Sequence, residues 1–582
     1  MYTNTSSPFR RIFSKEAFSK AIHSFSSKQW YAFLVLLGAL TISALLLLNM
    51  VNNNLLVEVP LKGGSIKEGV VGTPRFINPV LAVTDVEKDI TSIVYSGLMK
   101  KTADGNIVPD LTSTYEVSPD GLTYTFTIRD DAFFQDGSSV EAKDIAYTIK
   151  QIQNPVIKSP KKSSWDGVTV TEIDSKKISF SLKQPYSGFI ENTTVGILPF
   201  NSWKNIPDKE FSLSNLNTAS IGSGPYKITG VKNKKSSSIP YSYELEAFSK
   251  YVGGEPYIKD IEFSFYASES EMLNAYKKGG IDQMSAISPS EAKNLSSKNM
   301  RIEEIPLSRI FGLFFNQSQA PIFTDKTVVQ ALELAIDKQA IVDTILGGYG
   351  EAIDSPIQRN ILAEDGAIER PHGDKQAAEE MLTKAGWAKD ENGILIKKSS
   401  KSQETTRLSF AISTGDAPEL RTAAEMIQKD LQSIGAEVEL KVFETGNLNQ
   451  NVIRPRSYDA LFFGQVVNKG SDLFAFWHSS QRNDPGLNVA QYANTKVDDL
   501  LNKSLTENNT EIRNDYYKQI EGEIKKDMPA IFVYSPHFIY IVKKNLSGFH
   551  FDSIVAPNER FLSIADWYVD TDKVWKIFAP KQ

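Results

Sequence analysis

The residues of this chain that are best suited to chemistry are its histidines, yet their spacing builds no catalytic or metal site. There are five of them, and none is paired at metal-ligand spacing: His23, His372, His478, His537 and His550. The sequence contains no H-E-x-x-H motif, no Walker-type phosphate loop and no G-x-S-x-G nucleophile elbow. Cysteine is absent, which excludes disulfides, thiolate metal sites and cysteine nucleophiles. We therefore predict a protein with no catalytic residues, no metal and no cofactor.

Carboxylates are the remaining candidates for catalysis, because glycoside hydrolysis needs a pair of them. Aspartate and glutamate together number 70, but nothing in their spacing singles out two. A cell-surface hydrolase acting on peptides or glycans stays open as an alternative.

A polar and aromatic stretch at residues 457–488 offers binding chemistry instead. It reads "SYDALFFGQVVNKGSDLFAFWHSSQRNDPGLN", which predicts a strand followed by a long loop. Trp477 and His478 stand beside Ser479, Ser480 and Gln481, the kind of set that lines a ligand cleft. Asp472 either meets a ligand cation or caps a helix. The alternative is a surface loop whose tryptophan fills the core.

The N-terminal region predicts a membrane helix. Residues 30–51 are largely apolar and uncharged, and as a helix they would extend about 33 Å, enough for a bilayer core of about 30 Å. Five basic residues precede this segment, whereas the next one after it is Lys62. This asymmetry keeps the N-terminus in the cytoplasm. A cleaved signal peptide is the main rival, but "LLLLNMVNNN" lacks a small-x-small cleavage pattern.

Length and charge limit the rest of the chain. A chain of 582 residues is too long to fold around a single hydrophobic core, so several lobes are expected. Residues 1–61 hold five basic and two acidic residues, so a whole-chain charge of −6 leaves −9 on the remainder. A nucleic-acid partner is therefore not expected.

From residue 65 onwards, alternating runs interleave with helical ones, which predicts a mixed α/β fold. "TYTFTI" at 123–128 alternates between two Asp-Gly turns, as an antiparallel strand does. "DVEKDITSIVYSGLM" predicts a helix, and so does "SSVEAKDIAYTIKQI", with Ser139 as its cap. Two more helices are predicted in "TDKTVVQALELAIDKQAIVDTIL" and "APELRTAAEMIQKDLQSIGA", before a strand "EVELKVFE".

Several blocks, taken in order, resemble the family-5 extracellular solute-binding proteins of oligopeptide and dipeptide ABC transporters. The most diagnostic block is "DGNIVPDLTSTYEVSPDGLTYTFTIRDDAFFQDGSSVEAKDIAYTI". Others are "GTPRFINPVLAVTDVEKDITSIVYSGLMK", "GSGPYKI", "FNQSQAPIFTDKTVVQALELAIDKQAIVD", "AAEEMLTKAGW" and the stretch from "NVAQYANTK" to "PAIFVY". The resemblance covers roughly residues 64 to 545.

This resemblance implies a type II periplasmic-binding-protein fold of three lobes, in which a hinge closes lobes I and III on a ligand. The expected division is a cytoplasmic segment (1–29), a transmembrane anchor (30–51), a linker (52–63), lobe I (64–107 with 220–311 and 535–582), lobe II (108–219) and lobe III (312–534). The alternating stretch at 123–128 would belong to lobe II.

The resemblance also suggests ligand-binding residues, with one departure. Peptide-binding relatives hold the α-ammonium with an aspartate four residues after the glycine of a "GW…D" motif. Here Gly464 is followed by Gln465, and Asn468 stands at the aspartate position, so Asp472 takes over with a shifted register or affinity for a free amine falls. Three weaker candidates are Tyr95 at the lobe I rim, Asn316 at a strand end and Arg309, for which structural roles stay open.

We therefore predict a monomeric, membrane-anchored capture subunit that binds peptides or similar solutes outside the cell and delivers them to ABC permease subunits. It would be a single-pass protein with a cytoplasmic N-terminus and its bulk extracellular or periplasmic. The alternatives are a surface sensor or adhesion module with the same fold, and the hydrolase.

Overall fold

The structure is a computed structural model that describes residues 24, 26–186, 188–233, 239–295, 300–357, 372–398, 404–467, 471–507 and 509–579. The chain divides into two compact units. The helix unit comprises Met1–Leu61 with Asp570–Gln582, and the large unit comprises Lys62–Val569.

The strands of the described residues are β1 Leu56–Pro60, β2 Ser65–Val71, β3 Met99–Lys101, β4 Ile107–Pro109, β5 Thr112–Val117, β6 Thr123–Ile128, β7 Thr169–Glu172, β8 Lys177–Ser181, β9 Tyr226–Asn233, β10 Pro240–Ala247, β11 Asp260–Tyr266, β12 Gln283–Ser285, β13 Met300–Pro306, β14 Arg309–Phe315, β15 Gly350–Ala352, β16 Ala388–Lys389, β17 Leu395–Lys398, β18 Thr405–Arg407, β19 Ser409–Gly415, β20 Glu437–Phe443, β21 Ala460–Val466, β22 Ala530–Lys543 and β23 Thr571–Trp575.

The α-helices of the same described residues are α1 Ser27–Leu55, α2 Asp85–Val94, α3 Ala142–Gln153, α4 Lys162–Trp165, α5 Phe189–Asn192, α6 Phe200–Trp203, α7 Glu269–Lys277, α8 Pro289–Asn294, α9 Lys326–Ala335, α10 Lys338–Ile345, α11 Lys375–Lys384, α12 Pro418–Ser433, α13 Thr445–Asn447, α14 Ser471–Trp477, α15 Thr495–Thr506 and α16 Thr510–Asp527. Short 3₁₀ turns include Pro557–Phe561 and Lys576–Phe578.

The helix unit is built on α1, the one helix among the described residues that is long and apolar enough to cross a membrane. Its best 18-residue window has a mean hydropathy of 2.5, and none of its side chains is buried. Residues 52–63, expected as a linker, are largely regular, because α1 continues to Leu55 and β1 follows at once. Strand β1 pairs antiparallel with β23.

A twelve-stranded mixed sheet forms the frame of the large unit, in the order β20-β19-β21-β14-β22-β12-β2-β11-β10-β9, with β13 and β15 also paired to β22. Strands β19 and β20 are parallel, as are β2 and β11. Their connections carry helices such as α12, the crossover that parallel pairing requires. The mixed α/β fold predicted from the sequence is confirmed.

Strand β22 lies in the middle of this sheet and joins its two parts, the strands from β20 to β14 and the strands from β12 to β9. Its first half, Ala530 to Tyr534, pairs antiparallel with β14. Its second half, from His537 to Lys543, pairs with β13 along its whole length. The chain also passes from β13 into β14 through Leu307 and Ser308. Two neighbouring crossings, near 306–309 and 535–537, therefore link the two parts of the sheet.

A separate four-stranded antiparallel sheet, β5-β6-β8-β7, carries the alternating stretch noted in the sequence. Along β6 the side chains of Tyr124, Phe126 and Ile128 are buried, and the threonines between them are half-buried. Gly121 and Gly137 have φ values of 69° and 88°, the left-handed conformation that the Asp-Gly turns need. The predicted strand and both turns are confirmed.

Two helix predictions need correction. Ser139 does not cap α3, which begins at Ala142 with Glu141 at its N-cap, and the Asp144 carboxylate accepts the Glu141 N–H at 2.8 Å. The single helix predicted across 324–346 is two helices, α9 and α10. Asp337 separates them because its side chain accepts the Ala340 N–H at 2.9 Å and so starts a new helix.

Candidate ligand-binding cleft

A cavity of about 300 Å³ lies beside the two crossings of the sheet. Its walls come from five stretches that are separated in sequence: the β3–β4 turn, the end of α5, the residue before β14, the residue after β21, and the segment after β22. The lining residues are Lys101, Ala103, Asp104, Gly105, Ile107, Glu191, Asn192, Thr194, Ser308, Val467, Asp552, Ser553, Val555 and Glu559. We call this cavity the cleft.

Backbone hydrogen bonds fix the floor of the cleft. The Ser308 N–H donates to the Ile554 carbonyl at 2.8 Å, and the Ile554 N–H donates to the Pro306 carbonyl at 3.0 Å. The Val467 N–H donates to the Ser308 carbonyl at 3.0 Å. The cleft therefore spans the crossing, since its floor joins the start of β14, the end of β21 and the segment that carries Glu559.

The charged side chains of the cleft are four carboxylates and one lysine. Lys101 Nζ lies 2.8 Å from Glu559 Oε1, so this lysine offsets only part of the negative charge of the cleft. The Asn106 amide donates to Asp104 at 2.6 Å, and Asp552, with 55% of its side chain exposed, has its Oδ1 3.6 Å from His550 Nε2. An excess of carboxylates makes the cleft suited to a ligand cation, because opposite charges attract most strongly where water is partly excluded.

Glu559 is positioned by the buried residue that follows it. Arg560 is fully buried and binds the Asp89 carboxylate in bidentate fashion at 2.8 and 2.7 Å, and Glu68 Oε1 at 3.0 Å. Glu68 lies on β2 and Asp89 on α2, so this ion cluster ties the 557–561 turn to the sheet and to a helix. Glu559 Oε2 also accepts the Val555 N–H at 2.8 Å, which orders the loop around the cleft.

The same cluster makes stability depend on pH. Burial raises the pKa of Glu68 from 4.5 to about 7, although Arg560 lowers it in part. The folded protein thus holds this proton more tightly than the unfolded chain, so the free energy of unfolding falls as pH rises from about 4.5 to about 7, by at most ~1.4 kcal/mol per pH unit. We expect Glu68→Gln to make this slope shallower in urea denaturation between pH 5 and 7.5. Glu425→Gln, on an exposed helix face, is the control, and equal slopes in both variants would contradict the assignment.

A second cavity of about 280 Å³ adjoins the cleft, with which it shares the side chains of Lys101, Thr194 and Glu559. One of its walls is the outer face of α2, followed by Tyr95. Tyr95 is buried, and its hydroxyl lies 3.4 Å from the Ile77 carbonyl. Gly222 and Gly224 allow this packing, since a Cβ on Gly222 would lie 2.0 Å from the Val94 carbonyl oxygen.

A larger cavity, of about 610 Å³, lies within the part of the chain around the four-stranded sheet. Its described lining residues all fall between Ser163 and Asn192, and Asn192 also lines the cleft. None of these described residues belongs to the crossings of the large sheet.

The structure does not bring Trp477 and His478 to the lining of the cleft. Trp477 is 1% exposed, and its ring centroid lies 6.0–6.3 Å from those of Phe314, Tyr492 and Phe532. His478 stacks on Phe474, with a centroid distance of 4.2 Å, and its Nδ1 lies 2.8 Å from Ser480 Oγ. Asp472 is half-buried in the first turn of α14. Their roles in ligand binding stay predictions.

The other predicted residues lie near the crossing or at the end of β14. Asn316 is buried; its amide donates to the Arg456 carbonyl at 2.9 Å, and its Oδ1 accepts from Ser318 N. Arg309 is the half-buried first residue of β14. Asn468 lies outside the described residues, and Val467, the residue before it, lines the cleft.

The charged residues that line the cleft were not predicted from the sequence. Asp552 and Glu559 lie beyond residue 545, where the resemblance ends. Asp104 offered one local signal, because Asp104-Gly105 forms a tight turn with φ of 78° at the glycine, next to the diagnostic block.

Comparison with known proteins decides the family. The family described as "Bacterial extracellular solute-binding proteins, family 5 Middle" matches residues 106–486. The chain belongs to this family. Its members bind solutes for ABC importers and are not enzymes, so the predictions of the family and of a non-enzymatic protein are confirmed.

Among curated proteins, the chain is similar to the oligopeptide-binding protein AppA of Bacillus subtilis (strain 168), with 26% identity over 88% of this chain and 92% of that one. It is also similar to the dipeptide-binding protein of Escherichia coli (strain K12), with 24% identity over 85% and 93%. Among solved structures, it matches the oligopeptide-binding protein AppA from Bacillus subtilis in complex with a nonapeptide. That match has a TM-score of 0.62 and 25% identity, over 88% of this solute-binding protein and all of that chain.

Proposed function

We propose that this solute-binding protein captures peptides in the cleft and closes on them about the two crossings. It then delivers them, at the outer face of the cell membrane, to an ABC permease. The observation that carries the proposal is the position of the cleft, whose floor spans both sides of the crossing. The relatives that bind oligopeptides and dipeptides support peptides as the ligand class.

Closure is a hinge movement under this proposal. The two parts of the sheet are joined by two adjacent strand crossings, and Pro536, which has no N–H, lies in one of them. The expected lobe boundaries at 311/312 and 534/535 fall within a few residues of these crossings. A ligand that contacts both sides only in the closed form shifts the population toward that form by its differential affinity.

The carboxylates of the cleft suit the α-ammonium of a peptide. They would take the place of the aspartate that peptide-binding relatives carry where this chain has Asn468. A charge-assisted hydrogen bond contributes about 1.5–3 kcal/mol, against about 1 kcal/mol for a neutral one. Among them, Asp552 has more than half of its side chain exposed.

Anchoring follows from α1 in this proposal. The helix has the length and hydropathy of a membrane span, and basic residues precede it. A retained α1 would keep the large unit at the membrane where the permease resides.

Peptide capture is tested by adding a panel of free-amine peptides of two to nine residues to the full-length protein in detergent. We expect at least one peptide to raise the melting temperature and to reduce the radius of gyration in X-ray scattering, because binding stabilises the closed form. A panel that binds without any compaction would contradict hinge closure, and hydrolysis of the peptides would support the enzymatic alternative.

The ammonium site is tested with Asp552→Asn. We expect the affinity for a bound free-amine peptide to fall roughly 3- to 30-fold in calorimetry, the loss of a charged partner. The affinity for the N-acetylated peptide should not change, because that ligand has no cation to lose.

Asp166→Asn is the matched control, since Asp166 is a similarly exposed carboxylate that lines the larger cavity instead. If Asp166→Asn weakens binding and Asp552→Asn does not, the peptide occupies the larger cavity and the assignment of the cleft is wrong.

A further inference from the structure

Strand β23, the last strand of the described residues, lies beside the C-terminal end of α1. Strand β23 pairs antiparallel with β1 in a register that places Thr571 opposite Pro60 and Trp575 opposite Leu56, the first residue after α1. The Leu61 N–H also donates to the Asp570 carbonyl at 3.0 Å. Because the pair is antiparallel, β23 runs toward the helix, and the turn Lys576–Phe578 continues beyond its end.

A side-chain contact fixes the level of Trp575 along α1. Its indole Nε1–H donates to Asn52 Oδ1 at 2.9 Å. Asn52 is the first residue after the apolar span 30–51, where the sequence changes to "NNN". The indole therefore lies at the boundary between the apolar and polar parts of the helix.

The residues that follow are apolar and exposed. Ile577 is 78% exposed and Phe578 74%, while Trp575 retains 45% exposure. Lys573 and Lys576 flank the tryptophan. Aromatic side chains beside lysines are enriched at the interface between lipid headgroups and acyl chains, where the ring is buried and the charge stays hydrated.

We propose that Trp575–Phe578 insert into the outer-leaflet interface of the bilayer and so form, with α1, a second point of membrane attachment. The inference rests on the proposed membrane anchoring by α1. Lipid is the partner that these exposed side chains fit, because Trp575 contacts Asn52, where the apolar surface of α1 ends. The β1–β23 ladder would then hold the lipid-facing turn to the end of the helix.

The absence of cysteine makes a clean test, since a single introduced cysteine carries the only label. The full-length protein, labelled with a nitroxide after Phe578→Cys or Ile577→Cys, is reconstituted in phosphatidylcholine vesicles. The ratio of oxygen to nickel-chelate collision rates then measures depth in the bilayer.

Leu46→Cys, within α1, and Leu213→Cys, 79% exposed in the large unit, are the lipid and water references. We expect the ratios at 577 and 578 to exceed that at 213 and to stay below that at 46.

Ratios at 577 and 578 equal to that at 213, with a high ratio at 46, would overturn the second attachment and leave the anchor in place. If position 46 also matched position 213, the helix would not be in the bilayer, and the proposed anchoring would fail together with this inference.

Discussion

Replacing Arg560 by leucine is expected to lower the free energy of unfolding by about 3–5 kcal/mol. The substitution leaves Glu68 and Asp89 without their cation, and both are at most 1% exposed. Burying an unpaired carboxylate costs several kcal/mol, so the 557–561 turn would detach from β2 and α2. Urea denaturation of the full-length protein in detergent at pH 7.5 measures the loss.

Arg421→Leu is the control for this prediction, because Arg421 pairs with Glu425 on an exposed helix face, with 61% and 49% of the two side chains exposed. Such a pair contributes about 0.5 kcal/mol or less. The triple variant Glu68→Gln, Asp89→Asn, Arg560→Leu should recover part of the loss, since it removes the unpaired charges. A loss for Arg560→Leu no greater than that for Arg421→Leu would show that the cluster does not stabilise the fold.

Truncating Trp477 to alanine is expected to lower the free energy of unfolding by about 3–5 kcal/mol. Its ring is packed among Phe314, Tyr492 and Phe532. The alanine variant would lose those contacts and leave a cavity in their place. Urea denaturation measures the effect. Trp575→Ala, at a half-exposed tryptophan of the helix unit, should leave the unfolding of the large unit unchanged.

The variant Trp477→Phe separates packing from ligand contact. Phenylalanine retains most of the buried surface, so we expect a smaller loss of stability than with alanine and, for a core residue, unchanged peptide affinity. A drop in affinity with nearly native stability would support the interpretation of Trp477 as a cleft wall. A Trp477→Ala variant as stable as the wild type would contradict the packing seen here.

The elements with a regular pattern were the predictable ones. Strand β6 and helix α2 each show a periodic set of apolar residues, and both have the buried face that the period indicates. Boundaries were harder, because Ser139 is of a type that commonly caps a helix, whereas α3 begins later, at Ala142, where the Asp144 carboxylate accepts the Glu141 N–H. Asp337 looked like a helix interior residue, although its carboxylate starts α10.

The site was less predictable than the fold, because its residues are distant in sequence. Nothing in "PNERFLS" indicates that Arg560 would contact Glu68 and Asp89. The cleft likewise combines stretches near residues 104, 191, 308, 467 and 552. Each stretch is short and unremarkable alone, so only the fold brings the carboxylates together. For Trp477 the polar neighbours Ser479 and Gln481 left a cleft wall and a core position both open, and its ring is buried in this structure.

The Arg560 ion cluster also constrains the order in which this chain can fold. Arg560 lies 471 residues from Asp89 and 492 from Glu68, and strand β22, in the middle of the large sheet, comes after every other strand of that sheet in sequence order. Contacts of such long sequence separation form late, because the loop entropy is lost before they stabilise anything. A nascent chain emerging from the ribosome thus carries an unfinished sheet, and two carboxylates without their cation, until β22 and Arg560 have been synthesised.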